Sequence, residues 1–438
     1  MTTGAIGKRL DRLVVAADAR LTLRRAQVYP IFMLAVGAGF YLGALALGHP
    51  PFDVFGHPIA IDLSNRLTAG TMVLHGDVGG LYDVKRQVEV QRALLGGQHP
   101  EFLDVYISPP FVAYVYAPLA ALPYEVAAAL WTMLTIGLLI VDLRLLWPLV
   151  ANLHRYRFRA VLLIVFSSWP VIELLADGQD AAVSLLVLLG GLHLLRARRD
   201  LTAGALLGLG AFKPQLFLLI PLLLLLQRRW RALTGWLAVS MVLLAASALL
   251  LGPAGIHSYV VLITSTTFRQ AIFATLGWKM QSVLAFVSAL VGSPSGLAVT
   301  AIWAGVDAVL LVAFVRTARR VREGVHELEL LYALAVLTGA MVSPYFFMYD
   351  CVILVLPALL LLNHAPSRPA SRLSLAAAYI LTWTAPLRYL VFGRLPGPLP
   401  IVAAPWAVVA LLALLWSGYQ LIPRNGTRVG GAPASSLE

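Results

Sequence analysis

The sequence predicts an all-α polytopic integral membrane protein, and three observations support that fold class. Of the 438 residues, 60% are hydrophobic and only 12% are charged, which is unlike the surface-rich composition of a globular protein. Many apolar runs approach or exceed the roughly 20 residues that cross a bilayer as a helix. Basic residues recur in the loops between these runs. We therefore expect roughly 10–14 transmembrane helices in one domain over residues 29–422.

Two classes of apolar run can be distinguished by length. The longer runs are 29–48, 124–147, 158–176, 180–196, 231–252, 296–316, 327–343, 347–363, 373–391 and 400–422. The shorter runs are 109–122, 200–212, 214–227 and 280–292. A helix of roughly 13 residues extends about 20 Å, short of a hydrocarbon core of about 30 Å. The shorter runs therefore predict re-entrant or broken helices.

Basic residues cluster on one predicted side of the membrane. Seven clusters contain 24 of the 33 lysines and arginines, and the positive-inside rule places them in the cytoplasm. Residues 1–28 are then a basic cytoplasmic segment, and 423–438 a disordered cytoplasmic tail. The outer loops are 49–108, which carries amphipathic helical patches, and 253–279. This sorting explains the net charge of +12 without a nucleic-acid partner.

Several common chemistries have no support in the sequence. Cys351 is the single cysteine, so the chain can form neither an intramolecular disulfide nor a thiolate metal cluster. P-loop, HExxH, GxSxG and GxGxxG motifs are absent, and the outer-loop histidines lack metal-ligand spacing. The sequence therefore requires no cofactor and no metal.

Polar clusters interrupt the apolar pattern on the predicted outer side. They are IDLSNR (61–66), YISPPF (106–111), DGQD (177–180), FKPQ (212–215), GWKMQS (277–282) and SPYFFMYD (343–350). Each lies where an apolar run meets the outer boundary or at the tip of a short run. Ionisable groups at membrane depth are costly and usually functional, so we expect these clusters to share a cavity.

Three of these polar residues have a functional and a structural interpretation. Lys213 joins two short apolar halves and needs an anion there, either from a ligand or from a structural carboxylate. Gln179 is suited to bind a hydroxylated ligand, or it belongs to a helix-capping turn made by Asp177 and Asp180. Asp350 is either a ligand of substrate hydroxyls or a carboxylate favoured by a helix N-terminus.

The ordered set of motifs resembles the GT-C glycosyltransferases, and most closely glycosyltransferase family eighty-seven, which includes the PimE-type mannosyltransferases. The residues that carry the resemblance are Asp62, YxSPPF (106–111), GQ (178–179), KPQ (213–215) and SPY…YD (343–350). The resemblance spans roughly residues 30–420. It implies a GT-C-like bundle, a polyprenyl-phosphate-sugar donor, and inverting transfer on the outer face of the inner membrane. It also implies a catalytic aspartate in the first outer loop, which corresponds to Asp62.

These implications give each site residue a role. Asp62 would be the general base, and Lys213, Lys279 and Arg269 would bind the donor phosphate. The substrate-binding candidates are Arg66, Tyr106, Gln179, Gln215, Gln281, Tyr349 and Asp350. Mannose is the first choice of sugar, while arabinose, galactose, glucose and a uronic acid remain open.

The expected partners are a polyprenyl-phosphate-sugar donor, a lipid-linked or glycan acceptor, and membrane lipid. The expected location is the bacterial inner membrane, with both chain termini in the cytoplasm and the active site on the periplasmic side. The alternative is a polytopic transporter or flippase of an envelope lipid or small solute, which also has broken helices and polar groups. The sequence shows no internal repeat, and this disfavours the alternative.

Overall fold

A computed structural model describes residue 12 and residues 14–97, 104–292, 296–321, 324–393 and 399–422. Within these ranges the regular structure is helical, with only isolated β-bridges. The predicted tail, 423–438, and the first eleven residues of the predicted N-terminal segment lie outside the described residues. The all-α fold class is confirmed.

The helices follow the predicted apolar runs and amphipathic patches. The first nine are α1 (Leu23–Ala46), α2 (Ile61–Leu74), α3 (Val84–Leu94), α4 (Pro110–Ala120), α5 (Tyr124–Leu146), α6 (Phe158–Phe166), α7 (Trp169–Asp177), α8 (Ala181–Arg196) and α9 (Asp200–Gly208). The next nine are α10 (Ile220–Leu226), α11 (Trp230–Thr264), α12 (Thr266–Leu276), α13 (Val283–Val291), α14 (Leu297–Arg320), α15 (Val325–Val342), α16 (Val355–His364), α17 (Pro369–Phe392) and α18 (Ala407–Tyr419). Each predicted run contains a helix.

Six helices in the described residues are long and apolar enough to cross a membrane, namely α1, α5, α11, α14, α15 and α17. The pair α6 and α7 passes the same test as one unit, although it is bent by 59°. Shorter apolar helices, including α4, α8 and α18, pack beside them. The chain is therefore a multi-pass membrane protein, and the range of 10 to 14 spans stays a prediction for the shorter helices.

The long helices divide into a central helix and a lipid-facing shell. Every residue of α15 from Leu328 to Val342 is buried. In α11, α14 and α17, only 11% of the most apolar stretch of each helix is buried. A helix that is apolar on all sides must face either a protein core or lipid, so the exposed apolar faces of these three helices face the bilayer.

The predicted broken helix is present at Lys213. Helix α9 continues into a 3₁₀ turn over Leu209–Phe212, and a second 3₁₀ turn, Pro214–Leu216, precedes α10. Lys213 lies between the two turns with a non-helical backbone (φ −137°, ψ 68°). Pro214 disfavours helical backbone at the preceding residue, which explains the break. The runs 200–212 and 214–227 are therefore the two arms of one interrupted element.

Helices α9 and α11 approach so closely that their contact requires glycine. A Cβ atom on Gly204 would lie 1.7 Å from the carbonyl oxygen of Ala232, and one on Gly235 would lie 2.3 Å from that of Leu201. Small residues allow such backbone contact between membrane helices. This contact fixes the start of α11 beside α9, the helix that leads to the break at Lys213.

We expect Gly204→Val to destabilise the folded chain by about 3 kcal/mol or more, because the new side chain must push two backbones apart. Thermal unfolding of the detergent-purified protein measures the effect. Gly305→Val is the matched control, since a Cβ atom on this helical glycine meets nothing within 4 Å. Equal stability of the two variants would show that the α9–α11 contact is not tight.

Candidate functional site

Four sequence-distant segments meet at one end of the bundle. They are the start of α2, the turn between α7 and α8, the break at Lys213, and a 3₁₀ turn over Tyr349–Leu354. Gly178 ends α7 with a left-handed backbone (φ 70°), and a Cβ atom there would lie 2.7 Å from that of Ala60. Its carbonyl accepts a hydrogen bond from Trp131 at 2.9 Å. A glycine is therefore needed to place the next residue, Gln179, against α2.

Asp62 faces this shared cluster. It is the second residue of α2, where the helix dipole favours a negative charge, and it is half-buried. Its carboxylate accepts a hydrogen bond from the side-chain amide of Gln179. The next residue, Leu63, is fully buried and holds the start of α2 in the core. The carboxylate is thus anchored but keeps part of its surface accessible.

Arg66 connects the first turn of α2 to the turn before α8. Its guanidinium donates to the Asp180 carboxylate at 3.0 and 3.2 Å and to the Gln179 side-chain oxygen at 2.9 Å. It also donates to the Asp62 carbonyl at 2.8 Å. Because Arg66 and Asp180 are both almost completely buried, this ion pair fixes the position of α2 relative to α8. Asp180 does not cap α8 with its side chain, so the capping interpretation of this turn is wrong for Asp180.

Lys213 is the centre of the buried ionic network. Its ammonium group lies 2.7 Å from the Asp180 carboxylate and 3.0 Å from that of Asp350, and it donates to Gln179 at 3.0 Å. The ammonium group also lies 5.2 Å from the centre of the Tyr349 ring. The anion that the sequence required for Lys213 is therefore supplied by two carboxylates of the chain itself.

Lys279 forms a second ionic group beside the first. Its ammonium group contacts Asp177 at 2.8 Å and Glu173 at 3.0 Å. Glu173 also accepts from the Trp169 indole at 2.9 Å. Like Lys213, Lys279 therefore faces two carboxylates within the described residues.

Asp104 adds a second carboxyl group beside Asp62. Asn65 donates a hydrogen bond to its carboxylate, and Gln91 donates to its backbone carbonyl at 3.1 Å. The Asp104 carboxyl group is within hydrogen-bonding reach of that of Asp62. Burial, followed by repulsion from the Asp62 carboxylate, raises the pKa of Asp104 well above its usual range. The Asp104 carboxyl group therefore holds a proton more tightly than an ordinary carboxyl group does.

This shift predicts a pH-dependent contribution to stability. The pKa of Asp104 is higher in the folded chain than in the unfolded chain, so protonation of Asp104 stabilises the fold. This stabilisation is complete below the unfolded pKa of about 3.9, and it falls as pH rises toward the folded pKa. The loss is at most about 1.4 kcal/mol for each pH unit. Asp104→Asn removes the titrating group, so the variant gains stability relative to wild type between pH 4 and neutral pH.

Unfolding of the detergent-solubilised chain across this pH range measures that difference. Glu89→Gln is the control, because Glu89 is an exposed residue of the same outer loop, paired with Arg86. If the free energy of unfolding changes with pH in the same way for the wild type and Asp104→Asn, then the pKa of Asp104 is not raised in the folded chain.

The family model of glycosyltransferase family 87 matches residues 106–344, which is more than half of the chain. The chain belongs to glycosyltransferase family 87. A search of curated proteins and a search of solved structures found no match. Family membership makes the chain a membrane glycosyltransferase and argues against the transporter alternative.

The family 87 match contains only part of the buried cluster. Gln179 and Lys213 lie inside the matched residues, whereas Asp62, Arg66 and Asp350 lie outside them. The ionic contacts join both groups in one network. The fold therefore brings residues before and after the match to the residues within it.

Four of the predicted site residues remain to be placed, namely Tyr106, Gln215, Gln281 and Arg269. Tyr106 is fully buried, and its hydroxyl donates to the Pro109 carbonyl at 2.8 Å. Gln215 is half-buried in the 3₁₀ turn after Lys213. Gln281 is buried, and its backbone amide donates to the Phe346 carbonyl at 2.6 Å, but its side chain has no hydrogen-bond partner within the described residues. Arg269 lies in α12, and its side chain is outside the described structure. The predicted roles of Tyr106, Gln215 and Gln281 in substrate binding, and of Arg269 in binding the donor phosphate, stay predictions.

Sequence reasoning does not identify most of the acidic residues of this cluster. The sequence indicates no role for Glu173 and Asp104, and for Asp177 and Asp180 it indicates only helix capping. A charge argument would have identified Asp180, because a lysine at a helix break within the membrane needs an anion at the same depth. No pattern in the sequence indicates Asp104, which depends on Gln91 of α3 and Asn65 of α2 folding against each other.

Proposed function

We propose that this family 87 enzyme transfers a sugar from a polyprenyl-phosphate-sugar donor to a hydroxyl group of a lipid-linked or envelope glycan acceptor. In this proposal transfer inverts the anomeric carbon, and Asp62 is the general base. Mannose is the first choice of sugar, and the reaction takes place on the outer face of the inner membrane. The main support is the position of Asp62, half-buried and hydrogen-bonded to Gln179 at the junction of four segments.

The base assignment follows from the surroundings of the carboxylate. Gln179 donates to one side of Asp62, and the same glutamine accepts from Arg66 and Lys213. The amide of Gln179 is therefore held in one orientation, with its NH₂ group toward Asp62. A carboxylate fixed in this way can take a proton from an acceptor hydroxyl, and such a base accelerates transfer by about 10²–10⁴-fold.

Inversion corresponds to a single displacement at the anomeric carbon. The acceptor oxygen forms its bond to the anomeric carbon while the bond from that carbon to the phosphate oxygen breaks. The acceptor proton passes to Asp62, and the lipid phosphate leaves with the bonding electron pair. A phosphate leaving group needs no proton, so the reaction needs one base and nearby cations.

The ion pairs indicate how the two lysines can bind an additional anion. Lys213 and Lys279 each contact two carboxylates. A donor phosphate can replace one carboxylate partner while the other keeps the lysine charged and in place. Charge-assisted hydrogen bonds to phosphate oxygens are short and strong, so this exchange is chemically reasonable.

The proposal is tested by supplying the purified chain with polyprenyl phosphates that carry labelled mannose, glucose, galactose, arabinose or a uronic acid. We expect a glycolipid product from at least one of these donors, with the mannose donor tested first. The anomeric configuration of the product, determined by NMR, should be opposite to that of the donor. Transfer from a nucleotide sugar alone would overturn the donor class, and retention of configuration would overturn the mechanism.

A further inference from the structure

Two histidines and a glutamate come together where helices α15 and α16 meet. His326 and Glu329 lie near the start of α15, and His364 is the last residue of α16. Residues three positions apart share one face of a helix, so the first two side chains lie on the same side of α15. Arginine clusters flank this end of both helices in the sequence, at 316–322 and 368–372. The group is therefore predicted to face the cytoplasm, opposite the candidate functional site.

The three side chains are close enough to bind one ion. Each offers one ligand atom, and these atoms all lie within 4.8 Å of one another. Glu329 Oε2 is 3.2 Å from His364 Nε2 and 4.0 Å from His326 Nδ1. Ligand atoms at about 2.1 Å from a tetrahedral Zn²⁺ are roughly 3.4 Å apart. Glu329 and His364 are already near this spacing, and the exposed side chain of His326 can move the remaining distance.

The carboxylate of Glu329 is held in place by a third helix. It is buried, and its Oε1 atom lies 3.0 Å from Nε of Arg196 at the end of α8. Arg196 neutralises this carboxylate, so charge compensation alone requires neither histidine. The same contact leaves Oε2 for the histidines. Carboxylates that bind metals are commonly oriented by such a second contact.

The donor atoms indicate the kind of ion. Mg²⁺ and Ca²⁺ prefer oxygen ligands, whereas imidazole nitrogens suit Zn²⁺ and related transition metals. Two imidazoles and one carboxylate are a common set of three protein ligands for Zn²⁺, with water in the fourth position. An ion pair between a histidine and a glutamate would need only one imidazole.

We propose that His326, Glu329 and His364 bind a divalent transition-metal ion, with Zn²⁺ as the best match. The ion would join the start of α15 to the end of α16, and the contact of the carboxylate with α8 would extend this link. Helix α8 begins after Asp180, and α16 follows the turn that contains Asp350. The ion would therefore stabilise the packing of the helices that carry these two carboxylates. The proposal does not depend on the sugar-transfer reaction.

Titration of the full chain with Zn²⁺ tests this site. The detergent-purified protein carries no polyhistidine tag, is treated with chelator, and is titrated by calorimetry. We expect one ion per chain and a rise in unfolding temperature as the site fills. His326→Gln should weaken binding by at least the roughly 10–100-fold that follows loss of a second-contact residue, because it removes a ligand itself. Since His326 is exposed, this variant should fold as the wild type does.

His257→Gln is the matched control, because it removes an exposed histidine from the predicted outer part of α11. This control should keep wild-type affinity. Co²⁺ gives a second readout, since its visible absorption should report nitrogen ligands in the wild type and change in His326→Gln. Absence of Zn²⁺ binding, or equal affinity in His326→Gln and the wild type, would overturn the site. Equal weakening in the control would indicate scattered surface binding and also overturn it, and Mg²⁺ binding as tight as that of Zn²⁺ would overturn the choice of ion.

Discussion

Asp62→Asn should lower the turnover of sugar transfer about 10²–10⁴-fold while the chain stays folded. The asparagine side chain has the same shape, and its oxygen can still accept the hydrogen bond from Gln179. What it loses is the ability to take the acceptor proton. The measurement is kcat with a saturating labelled donor and acceptor, alongside thermal unfolding of both proteins.

Glu89→Gln is the matched control, because it removes a carboxylate from an exposed position on the same outer loop. This control should keep wild-type turnover. If Asp62→Asn transfers sugar at a near wild-type rate, then Asp62 is not the base. If both transfer and unfolding temperature collapse, Asp62→Glu separates the explanations, because it restores a carboxylate that can take a proton.

Lys213→Met should destabilise the chain by about 3–5 kcal/mol, because it leaves Asp180 and Asp350 buried with one cation fewer. Methionine keeps much of the side-chain volume, so the loss reflects charge rather than a cavity. Unfolding in detergent measures this loss. Binding of a polyprenyl-phosphate-sugar to the fraction that stays folded should also be weaker, as expected for a phosphate ligand.

A double variant isolates the ionic part of this effect. Adding Asp350→Asn to Lys213→Met removes one of the buried carboxylates that has lost its cation. The double variant should therefore lose less stability than the sum of the losses in the two single variants. Lys85→Met, an exposed lysine of the outer loop, is the control and should have little effect on stability. A loss for Lys213→Met no larger than for Lys85→Met would contradict the buried network. Unchanged donor binding would show that Lys213 is structural only.

Much of this arrangement could be predicted from the sequence because membrane helices follow simple physical rules. Apolar length predicted the six helices that are long enough to cross a membrane, and Pro214 together with the short runs predicted the break at Lys213. The polar clusters at helix boundaries predicted a shared site, and Asp62, Gln179, Lys213 and Asp350 do belong to one network. These features depend on local composition and sequence order.

The pairing of charges within the site could not be predicted in the same way. Asp180 is 114 positions from Arg66, and Asp350 is 137 positions from Lys213, so only the packing of helices brings them together. The buried glutamines of α3 illustrate the same limit. The sequence predicts amphipathic helical patches in the loop 49–108, but it does not indicate that the buried face of α3 contains Gln87 and Gln91.

The site as a whole contains more acids than bases, which the sequence interpretation did not anticipate. Six carboxyl groups surround three basic side chains; they are Asp62, Asp104, Glu173, Asp177, Asp180 and Asp350. Under the proposed function, we therefore expect a donor phosphate to enter by exchanging with a carboxylate, not by filling a vacant cationic pocket.

The most direct test is a structure of the full chain with a non-transferable polyprenyl-phosphate-sugar analogue. We expect the anomeric carbon to lie beside the Asp62 carboxylate, with room between them for an acceptor hydroxyl. The phosphate should contact the ammonium group of Lys213 or Lys279 in place of one carboxylate partner. A headgroup bound outside this cluster, with both lysines still paired as in the free chain, would contradict the proposed site.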